Sequence, residues 1–346
     1  MRILILYSEL AGYTLACLRA LMEDGRHEVC LVKWPVNREA PFQFDFDARI
    51  QVYDRDQLGD KAVAKVAVDF QPEIIFISGW MDKGYLKAAL PFRQKGIPVI
   101  AGIDNQWVGS MRQRIATWMS PFLVKKYFSH MWVSGLRQYE YARRLGFDRN
   151  HIRLGYYSAD VEAFSQAYRT NRETKSRQYP KRLLYVGRLV PFKGIGEVTE
   201  AFIRLAEKYD WSLQIVGAGE INVPSHPRIQ VQGFVQPEAL PSLAEGAGAF
   251  VLASHVEPWG VALHEFAAAG LPLLASEAVG AADAFVKDGY NGYVHKAQDV
   301  SSMAQAMERL FQLDDATLNL WGDRSHQLAQ QITPTVWVST LLSMAT

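Results

Sequence analysis

Between Val251 and Gly270 the chain reads VLASHVEPWGVALHEFAAAG, an apolar run followed by a short polar loop and then an apolar helical pattern. The run ending at Ser254 is typical of a buried parallel strand, and the pattern predicts a helix from about Gly260 to Gly270. Ligands of α/β proteins bind at the carboxyl ends of such strands, where the N–H groups of a helix start attract diphosphate. Gly260 and Val261 would offer these N–H groups.

Two glutamates flank the predicted helix start, Glu257 in the loop and Glu265 within the helix. Only Val and Ala occupy the positions three and four residues from Glu265, so no cation on that helix can pair with it. A carboxylate in apolar surroundings needs a partner, because leaving such a group unpartnered costs at least ~1–3 kcal/mol. Ligand hydroxyls are one candidate partner, and a distant Arg or Lys is the other.

A second group of polar residues lies in RLLYVGRLVPFKGIGEV, which starts at Arg182. The pattern predicts a strand ending at Gly187, a loop that holds Arg188 and Lys193, and a helix from about Gly194. Two cations beside a helix start can neutralise a diphosphate, with each charge-assisted hydrogen bond contributing ~1.5–3 kcal/mol. Either cation alone would be read as an ordinary surface residue.

The segments EPWG, AAAGLPLLAS and DGYNGYV, together with Glu265 and Gly280, resemble the donor site of retaining family-4 glycosyltransferases of the GT-B fold, also called glycosyl transferases group 1. The resemblance covers most of the chain and is strongest over Arg182–Val294. It implies an α/β fold of two Rossmann-like domains with parallel sheets facing a central cleft. It also implies metal-independent, retaining transfer of a hexosyl or related group from a nucleoside-diphosphate sugar, which is a co-substrate, so that no cofactor is expected.

The resemblance implies roles for individual residues on the donor side. Glu257 would hold sugar hydroxyls, Glu265 would hold the ribose hydroxyls, and Arg188 and Lys193 would bind the diphosphate. The remaining donor-binding residues lie in loops or at the helix start, and they are Gly187, Gly217, Gly219, Phe234, Val235, Trp259, Gly260 and Val261. His264 departs from the family, whose members usually carry an aliphatic residue there, and we interpret it as a partly buried histidine rather than a ligand contact.

The first half of the chain alternates predicted strands and helices, which indicates another parallel sheet. Gly12, after the first strand, permits close backbone approach in a loop that helps to form the acceptor side in the resembled family. Trp80 and Asp82 follow a later strand and are candidates to hold an acceptor. Asp104 lies where many relatives carry a catalytically important histidine, so we expect either a catalytic role or ordinary turn chemistry for it.

Basic and aromatic residues accumulate between Met111 and Arg153. A basic helix with aromatic residues suits the surface of an anionic membrane, and a lipid-linked acceptor would explain such docking. The alternative is a solvated helix whose aromatic side chains pack inward.

The 346 residues, of which 49% are hydrophobic, suit two domains of ordinary size. We expect an acceptor-binding domain over 1–168, a linker over 169–180, a nucleotide-sugar-binding domain over 181–330, and a helix over 331–346 that returns to the first domain. A net charge of +1 argues against nucleic acid as the partner. The two cysteines, Cys17 and Cys30, lie in apolar patterns without metal-ligand spacing, so we expect neither disulfide nor metal site. The start shows no signal peptide, which favours a cytoplasmic protein, peripheral to the membrane if the basic segment docks.

The sequence therefore predicts a glycosyltransferase that uses a glycan or lipid-linked acceptor, in cell-surface polysaccharide or glycolipid synthesis. Two alternatives stay open. One is a non-catalytic sugar-nucleotide-binding module of a polysaccharide assembly complex, and the other is a nucleotide-sugar epimerase of the same fold.

Overall fold

The computed structural model describes residues 1–23, 25–35 and 44–345, and it divides the chain into two units. The first unit consists of Met1–Ser158 and Pro334–Thr346, and the second consists of Ala159–Thr333. Each unit contains one sheet whose strand pairs are all parallel.

Seven strands form the first sheet. They are β1 (Arg2–Tyr7), β2 (Glu28–Lys33), β3 (Ile50–Asp54), β4 (Ile74–Ser78), β5 (Val99–Ile103), β6 (His130–Val133) and β7 (Ile152–Leu154). Their spatial order is β3-β2-β1-β4-β5-β6-β7. This order reverses direction between β1 and β4, which is the arrangement of a Rossmann-like sheet.

Helices cover both faces of this sheet. They are α1 (Gly12–Glu23), α2 (Asp60–Phe70), α3 (Lys83–Gln94), α4 (Met111–Trp118), α5 (Ser120–Leu123) and α6 (Leu136–Arg144). Leu4 and Leu6 of β1 pack on the face that holds α2 and α3, and Ile3 and Ile5 pack on the face that holds α1. Burial on both faces explains why β1 is an almost continuous apolar run.

The basic and aromatic segment that begins at Met111 does not start with one long helix but with two short ones, α4 and α5. Pro121 lies in the first turn of α5, where its missing N–H costs nothing, whereas inside a longer helix it would remove a hydrogen bond. The helix is therefore interrupted at Met119, between α4 and α5.

The second unit begins with helix α7 (Val161–Arg177) and has a six-stranded sheet of order β10-β9-β8-β11-β12-β13. The strands are β8 (Arg182–Val186), β9 (Ser212–Val216), β10 (Ile229–Gln232), β11 (Ala249–Leu252), β12 (Leu273–Ser276) and β13 (Gly292–His295). The helices after α7 are α8 (Ile195–Leu205), α9 (Leu240–Leu243), α10 (Val261–Ala268), α11 (Ala282–Phe285), α12 (Val300–Phe311) and α13 (Asp315–Ala329).

The segment expected as a linker, 169–180, lies mostly within α7, so that expectation is wrong for its secondary structure. Asp160 caps the helix by accepting a hydrogen bond from the Ala163 N–H at 3.2 Å. The polar composition of α7 prevented its prediction as a helix. Its buried residues include the polar Asn171 and Lys175 as well as the apolar Phe164.

The last helix, α14 (Pro334–Leu342), belongs to the first unit. Its Trp337 is buried against Trp132, with ring centroids 4.7 Å apart, and donates a hydrogen bond from Nε1 to the Tyr156 carbonyl at 2.9 Å. Cys17 and Cys30 are both buried, in agreement with the apolar patterns around them. In the described parts of the chain, none of the helices has the length and apolar character needed to cross a bilayer.

Candidate functional site

The candidate site lies where the second sheet reverses its strand order, between the neighbouring strands β8 and β11. The helix after β8, α8, packs on one face of the sheet, and the helix after β11, α10, packs on the other through Phe250 and Phe266. Loops that leave adjacent strands in opposite directions open a crevice at the carboxyl edge, where such sheets bind ligands.

An ion pair joins the two loops at this crevice. Lys193 Nζ, at the end of the β8 loop, contacts Glu257 Oε2 in the β11 loop, and their side chains are only 18% and 15% exposed. The Ser254 hydroxyl donates to the same Glu257 oxygen at 3.0 Å. The structure thus brings together the cation and the carboxylate that the sequence predicts for diphosphate and sugar.

Two further contacts hold the loops in register. The His255 N–H donates to the Phe192 carbonyl at 2.8 Å, and the His255 Nε2 lies 2.7 Å from a Glu197 carboxylate oxygen on α8. Gly194, with φ of 71°, caps α8, and a Cβ at that position would lie 2.3 Å from the Ala253 carbonyl oxygen. Only glycine permits this approach. The contact of His255 with Glu197 was not predicted, because these two residues lie 58 positions apart in the chain. Ser254 was not predicted as a contact either, although its partner Glu257 is only three residues away.

A third loop, after β9, packs against the β8 loop. Leu189 donates from its N–H to the Ala218 carbonyl at 2.9 Å, and Leu189 and Gly219 form a parallel bridge. A Cβ on Gly217, whose φ is 149°, would lie 1.9 Å from the Gly187 carbonyl oxygen. The glycines predicted to border a nucleotide, Gly187, Gly217 and Gly219, therefore meet at one edge.

The start of α10 is fixed by backbone contacts with the segment after β12. Gly260 caps the helix with φ of 98°, and the Glu257 and Trp259 carbonyls accept hydrogen bonds from the Gly280 and Ala281 N–H groups at 3.0 and 2.9 Å. The Trp259 ring is buried against Phe285, so this residue presents its backbone rather than its indole. The N–H groups that open α10, including that of Val261, lack intrahelical partners and are suited to an anion.

Glu265 lies on α10, and its surroundings disfavour its charge. Burial and, to a lesser extent, the negative charge of Asp160 raise the pKa of the Glu265 carboxyl to about 7. Within the residues that the structure describes, no Arg or Lys pairs with this carboxylate. The distant cation considered from the sequence is therefore not realised, and ligand hydroxyls remain the candidate partner.

Three further residues predicted to bind the donor, Arg188, Phe234 and Val235, lie outside the Lys193–Glu257 ion pair. The Arg188 guanidinium stacks over the Phe192 ring at 5.4 Å, and the Arg188 carbonyl accepts from the Tyr185 hydroxyl at 3.2 Å. Phe234 and Val235 follow the edge strand β10, which β9 separates from β8. Phe234 is 39% exposed, which leaves its ring accessible beside the third loop.

His264 is fully buried, not partly buried as interpreted from the sequence, and both of its ring nitrogens bond the backbone. Its Nδ1 accepts from the Ala159 N–H at 3.1 Å, which fixes the other ring nitrogen as the donor to the Ala329 carbonyl at 2.9 Å. The ring also stacks on Phe285. Burial lowers the pKa of His264 to about 4, so the ring is neutral near pH 7.

In the first unit, Asp104 follows β5 and accepts a hydrogen bond from the Tyr157 hydroxyl at 3.2 Å. The Asp104 carbonyl accepts from the Gln138 side-chain amide at 2.9 Å. Buried tyrosines surround this carboxylate, and burial raises the pKa of one of them, Tyr7, to about 12. This aromatic cluster escaped sequence analysis because Tyr7 and Tyr156 are far apart in the chain.

The three residues predicted for the acceptor side occupy different settings. Gly12 is the first residue of α1, and Trp80 packs against Tyr141. Asp82 caps α3 by accepting from the Gly84 and Tyr85 N–H groups, and it pairs with Arg55 at 2.9 Å. Its carboxylate therefore has a structural role that the sequence did not predict.

A cavity of about 560 Å³ adjoins Asp82, and its lining residues are Ser8, Trp34, Asp60, Met81, Asp82, Lys83 and Gly84. Trp34 donates from its indole N–H to the Asp82 carboxylate at 3.0 Å, which orients the ring at this cavity. Ser8, Trp34 and Met81 were not singled out from the sequence, although each lies just after a strand or in a turn. Across the described ranges, no group of three His, Cys, Asp or Glu residues is arranged to hold a metal ion.

Residues 169–327 match the family model described as "Glycosyl transferases group 1". The chain is 27% identical over 263 residues to a glycogen synthase of Mycobacterium tuberculosis, covering 71% of this chain and 61% of that protein. It is 29% identical over 223 residues to the alpha-D-kanosaminyltransferase of Streptomyces kanamyceticus, covering 59% and 56%. The chain thus spans less than two thirds of the length of these relatives.

Among solved structures, HepE of Anabaena in complex with UDP is similar over 99% of this chain and 98% of HepE, with a TM-score of 0.72 and 16% identity. At that identity the similarity concerns the fold alone. Together with the two parallel sheets, it confirms the predicted fold class of two Rossmann-like α/β domains of the GT-B type.

Proposed function

Because the chain carries a domain of the glycosyl transferases group 1 family, we propose that it moves a sugar from a nucleoside-diphosphate sugar to an acceptor hydroxyl. The observation that carries this proposal is the Lys193–Glu257 pair at the crevice between β8 and β11. It sets a cation for phosphate beside a carboxylate for sugar hydroxyls. Solved complexes of HepE with UDP and with UDP-glucose support a donor of this class.

In the proposed reaction, Lys193, Arg188 and the start of α10 stabilise the negative charge that develops on the departing diphosphate. Preorganised cations and N–H groups do this without reorganising, which is the main source of electrostatic catalysis. Glu257 orients the sugar, and Glu265 binds the ribose hydroxyls. We propose that the transfer retains the anomeric configuration and needs no metal.

For the acceptor, we propose a hydroxyl of a glycan or of a lipid-linked sugar, as in cell-surface polysaccharide or glycolipid synthesis. Gly12, Trp80, Asp82 and the cavity beside Trp34 are the proposed acceptor side of the first unit. Asp104, held by Tyr157, is proposed to contact the reacting sugar or the acceptor hydroxyl. We propose that the reaction occurs in the cytoplasm, and at the cytoplasmic face of the membrane if the basic segment docks there.

The test is release of free nucleoside diphosphate from a panel of UDP-, GDP- and ADP-sugars. The native chain is compared with Glu257→Ala and Lys193→Ala. An exposed ion pair of the same chemistry, Lys208 with Glu308 at 2.5 Å, provides the matched controls Lys208→Ala and Glu308→Ala. Release from one donor that is lost only in the first two variants supports the proposal.

Binding of a donor without any turnover, also after addition of acceptors, would instead favour a non-catalytic sugar-nucleotide-binding module. Conversion of the donor sugar without an acceptor would favour an epimerase. If no donor binds, the assignment of the site at β8 and β11 is wrong. The anomeric configuration of the product, read by NMR, decides between retention and inversion.

A further inference from the structure

Helices α4 and α5 carry an apolar stripe that faces solvent. Met111, Ile115 and Trp118 lie on α4 at the helical intervals of four and three residues, and Phe122 lies on α5; the four residues are 73%, 52%, 81% and 73% exposed. No residue of α4 is buried. An ordinary surface helix turns its apolar face toward the core, so this stripe is unusual.

The segment is nevertheless anchored to the first unit. Val124 and Phe128, just after α5, are buried in its core, and the buried Ser120 hydroxyl donates to the Leu145 carbonyl at 2.6 Å. The inward packing expected from the alternative sequence interpretation is therefore made by Phe128 and not by Trp118 or Phe122. A clustered set of exposed large apolar side chains on an anchored segment marks a binding surface.

The sequence around the apolar stripe, from residue 105 to residue 139, carries only positive charge. Residues 105–139 contain five Lys or Arg residues and no Asp or Glu, and the five are Arg112, Arg114, Lys125, Lys126 and Arg137. Arg112, Arg114, Lys125 and Lys126 are exposed. Among the described residues, these four make no ion pair with a carboxylate, so no acidic side chain neutralises their charge.

We propose that the apolar stripe inserts into the surface of an anionic lipid bilayer, with α4 and α5 lying in the plane of the interface. The apolar side chains would enter the boundary between headgroups and acyl chains, while the Lys and Arg side chains meet lipid phosphates. A two-fold contact with a second copy is disfavoured, because it would set these unneutralised cations against each other. The proposal goes beyond the proposed glycosyl transfer, since docking requires neither donor nor acceptor.

The test is co-sedimentation with vesicles of phosphatidylcholine alone and of an equal mixture of phosphatidylcholine and phosphatidylglycerol, without nucleotide. The native chain should sediment with the anionic vesicles and remain largely in the supernatant with the neutral vesicles. Combining Trp118→Ser with Phe122→Ser should lower the partition coefficient at least tenfold. Each of Arg112→Gln and Lys126→Gln should lower it about fivefold, and added salt should weaken native binding.

Exposed residues of α2 in the same unit supply matched controls, Val68→Ser for the apolar changes and Lys61→Gln for the charge changes. Both should bind like the native chain. All variants should keep their thermal midpoint and their donor release, which separates failure of docking from failure of the proposed transferase activity. Brominated lipids should quench tryptophan fluorescence in the native chain, and Trp118→Phe should bind equally but lose that quenching.

Equal binding to both vesicle types, or unchanged binding in the Trp118 and Phe122 variants, would overturn the proposal. So would a native chain that self-associates in solution through this surface and ignores vesicles. In that case sedimentation velocity would show a dimer that the Trp118→Ser change dissolves, and the occupant would be a second copy.

Discussion

Lys193 and Glu257 lie 64 residues apart in the sequence and form an ion pair that joins the loops after β8 and β11. Ser254 donates a further hydrogen bond to the same Glu257 oxygen, so this carboxylate is held from two sides. Both side chains are mostly shielded from water, which strengthens their attraction over that of an exposed pair. The pair therefore helps to hold the two loops together at the crevice where we propose that the donor binds.

Removal of either partner should weaken donor binding. Lys193→Ala removes the proposed charge-assisted hydrogen bond to phosphate. We therefore expect the binding free energy of a nucleoside diphosphate to become less favourable by about 1.5–3 kcal/mol. Glu257→Gln should preserve most of the nucleotide affinity but lower the rate of donor turnover, since its proposed contact is with the sugar. Titration calorimetry measures the first effect and diphosphate release the second. Equal loss of nucleotide affinity in both variants would contradict this division of roles.

The coupling between the two residues can be measured with a double-mutant cycle. Because the ion pair is partly buried, the stability changes of Lys193→Ala and Glu257→Gln should not add, with a coupling of about 1–3 kcal/mol. The cycle for Lys208 and Glu308, an exposed pair, should give less than about 1 kcal/mol. A coupling for Lys193 and Glu257 no larger than that of the exposed pair would mean that the loops are held by other contacts.

Two neighbouring glycines in the β8 loop and α8 should respond in opposite ways to alanine. Gly194→Ala introduces a Cβ 2.3 Å from the Ala253 carbonyl oxygen at a φ of 71°, so it should displace the loops and destabilise the second unit by at least about 1 kcal/mol. Gly196→Ala meets no atom within 4 Å inside α8, and it should stabilise by about 0.5–1 kcal/mol. Urea unfolding measures both effects. A stable Gly194→Ala protein with native nucleotide affinity would show that the close approach is dispensable.

The proposed contact of Glu265 with ribose predicts that nucleotide binding depends on pH. Burial and Asp160 raise the pKa of Glu265 to about 7, and the ionised carboxylate accepts stronger hydrogen bonds from ribose hydroxyls than the neutral acid does. We therefore expect affinity to increase between about pH 6 and pH 8, and the increase should be smaller in Glu265→Gln. The nucleotide phosphate titrates in the same way with both proteins, so the difference between the two pH profiles reports Glu265 alone. Identical pH profiles for the two proteins would remove Glu265 from the binding site.

The same group has an effect of opposite sign on folding. The native carboxyl binds its proton up to about pH 7, while the unfolded one releases it near 4.5, so the native state holds more protons between these values. Stability should therefore fall as pH rises from 4.5 to 7, relative to Glu265→Gln. Bound nucleotide should reverse this fall in stability with pH if the nucleotide binds preferentially to the protein with an ionised Glu265.

Local patterns in the sequence were sufficient to predict much of this fold. The strand predicted to end at Gly187 and the helices predicted from about Gly194 and from about Gly260 are found as β8, α8 and α10, because each combines an apolar period with clear breakers. The loops that hold Lys193 and Glu257 were predicted for the same reason, since strand, glycine and helix follow in order. The ion pair between them was not predicted, because it depends on which strands become neighbours.

The features that escaped prediction all depend on tertiary partners. Helix α7 looks like a linker because its polar residues are stabilised by packing that the sequence does not display. The cap made by Asp82 and its ion pair with Arg55 were not predicted, because the sequence around Asp82 has the composition of an ordinary turn. His264 shows no local signal of its two backbone partners, which lie 105 and 65 residues away.

His264 should be required for stability and dispensable for donor binding. His264→Leu fills the space but removes the two buried hydrogen bonds that the imidazole makes, to the Ala159 N–H and to the Ala329 carbonyl, each of which contributes about 0.5–1.5 kcal/mol. The thermal midpoint should fall, while nucleotide affinity below that temperature should stay native. For the native protein, the lowered pKa of about 4 means that stability attributable to His264 is lost as pH falls from 6.5 to 4. Native stability in His264→Leu would contradict these bonds.

Lys175 should destabilise the fold at neutral pH. It is buried on α7 beside a cavity of about 530 Å³ that also adjoins the first residues of β9, at the edge opposite the candidate site. Burial lowers the pKa of its ammonium to about 7, whereas the unfolded side chain titrates near 10.5, so the unfolded state binds more protons between these values. Stability should therefore rise with pH over this range, by up to about 1.4 kcal/mol per pH unit. Lys175→Met removes the buried charge, so it should be more stable than the native chain by a few kcal/mol below pH 7 and lose this advantage toward pH 10.5. The exposed change Lys61→Met should leave the pH dependence of urea unfolding native, and a Lys175→Met protein that is less stable at every pH would show that the ammonium has a partner.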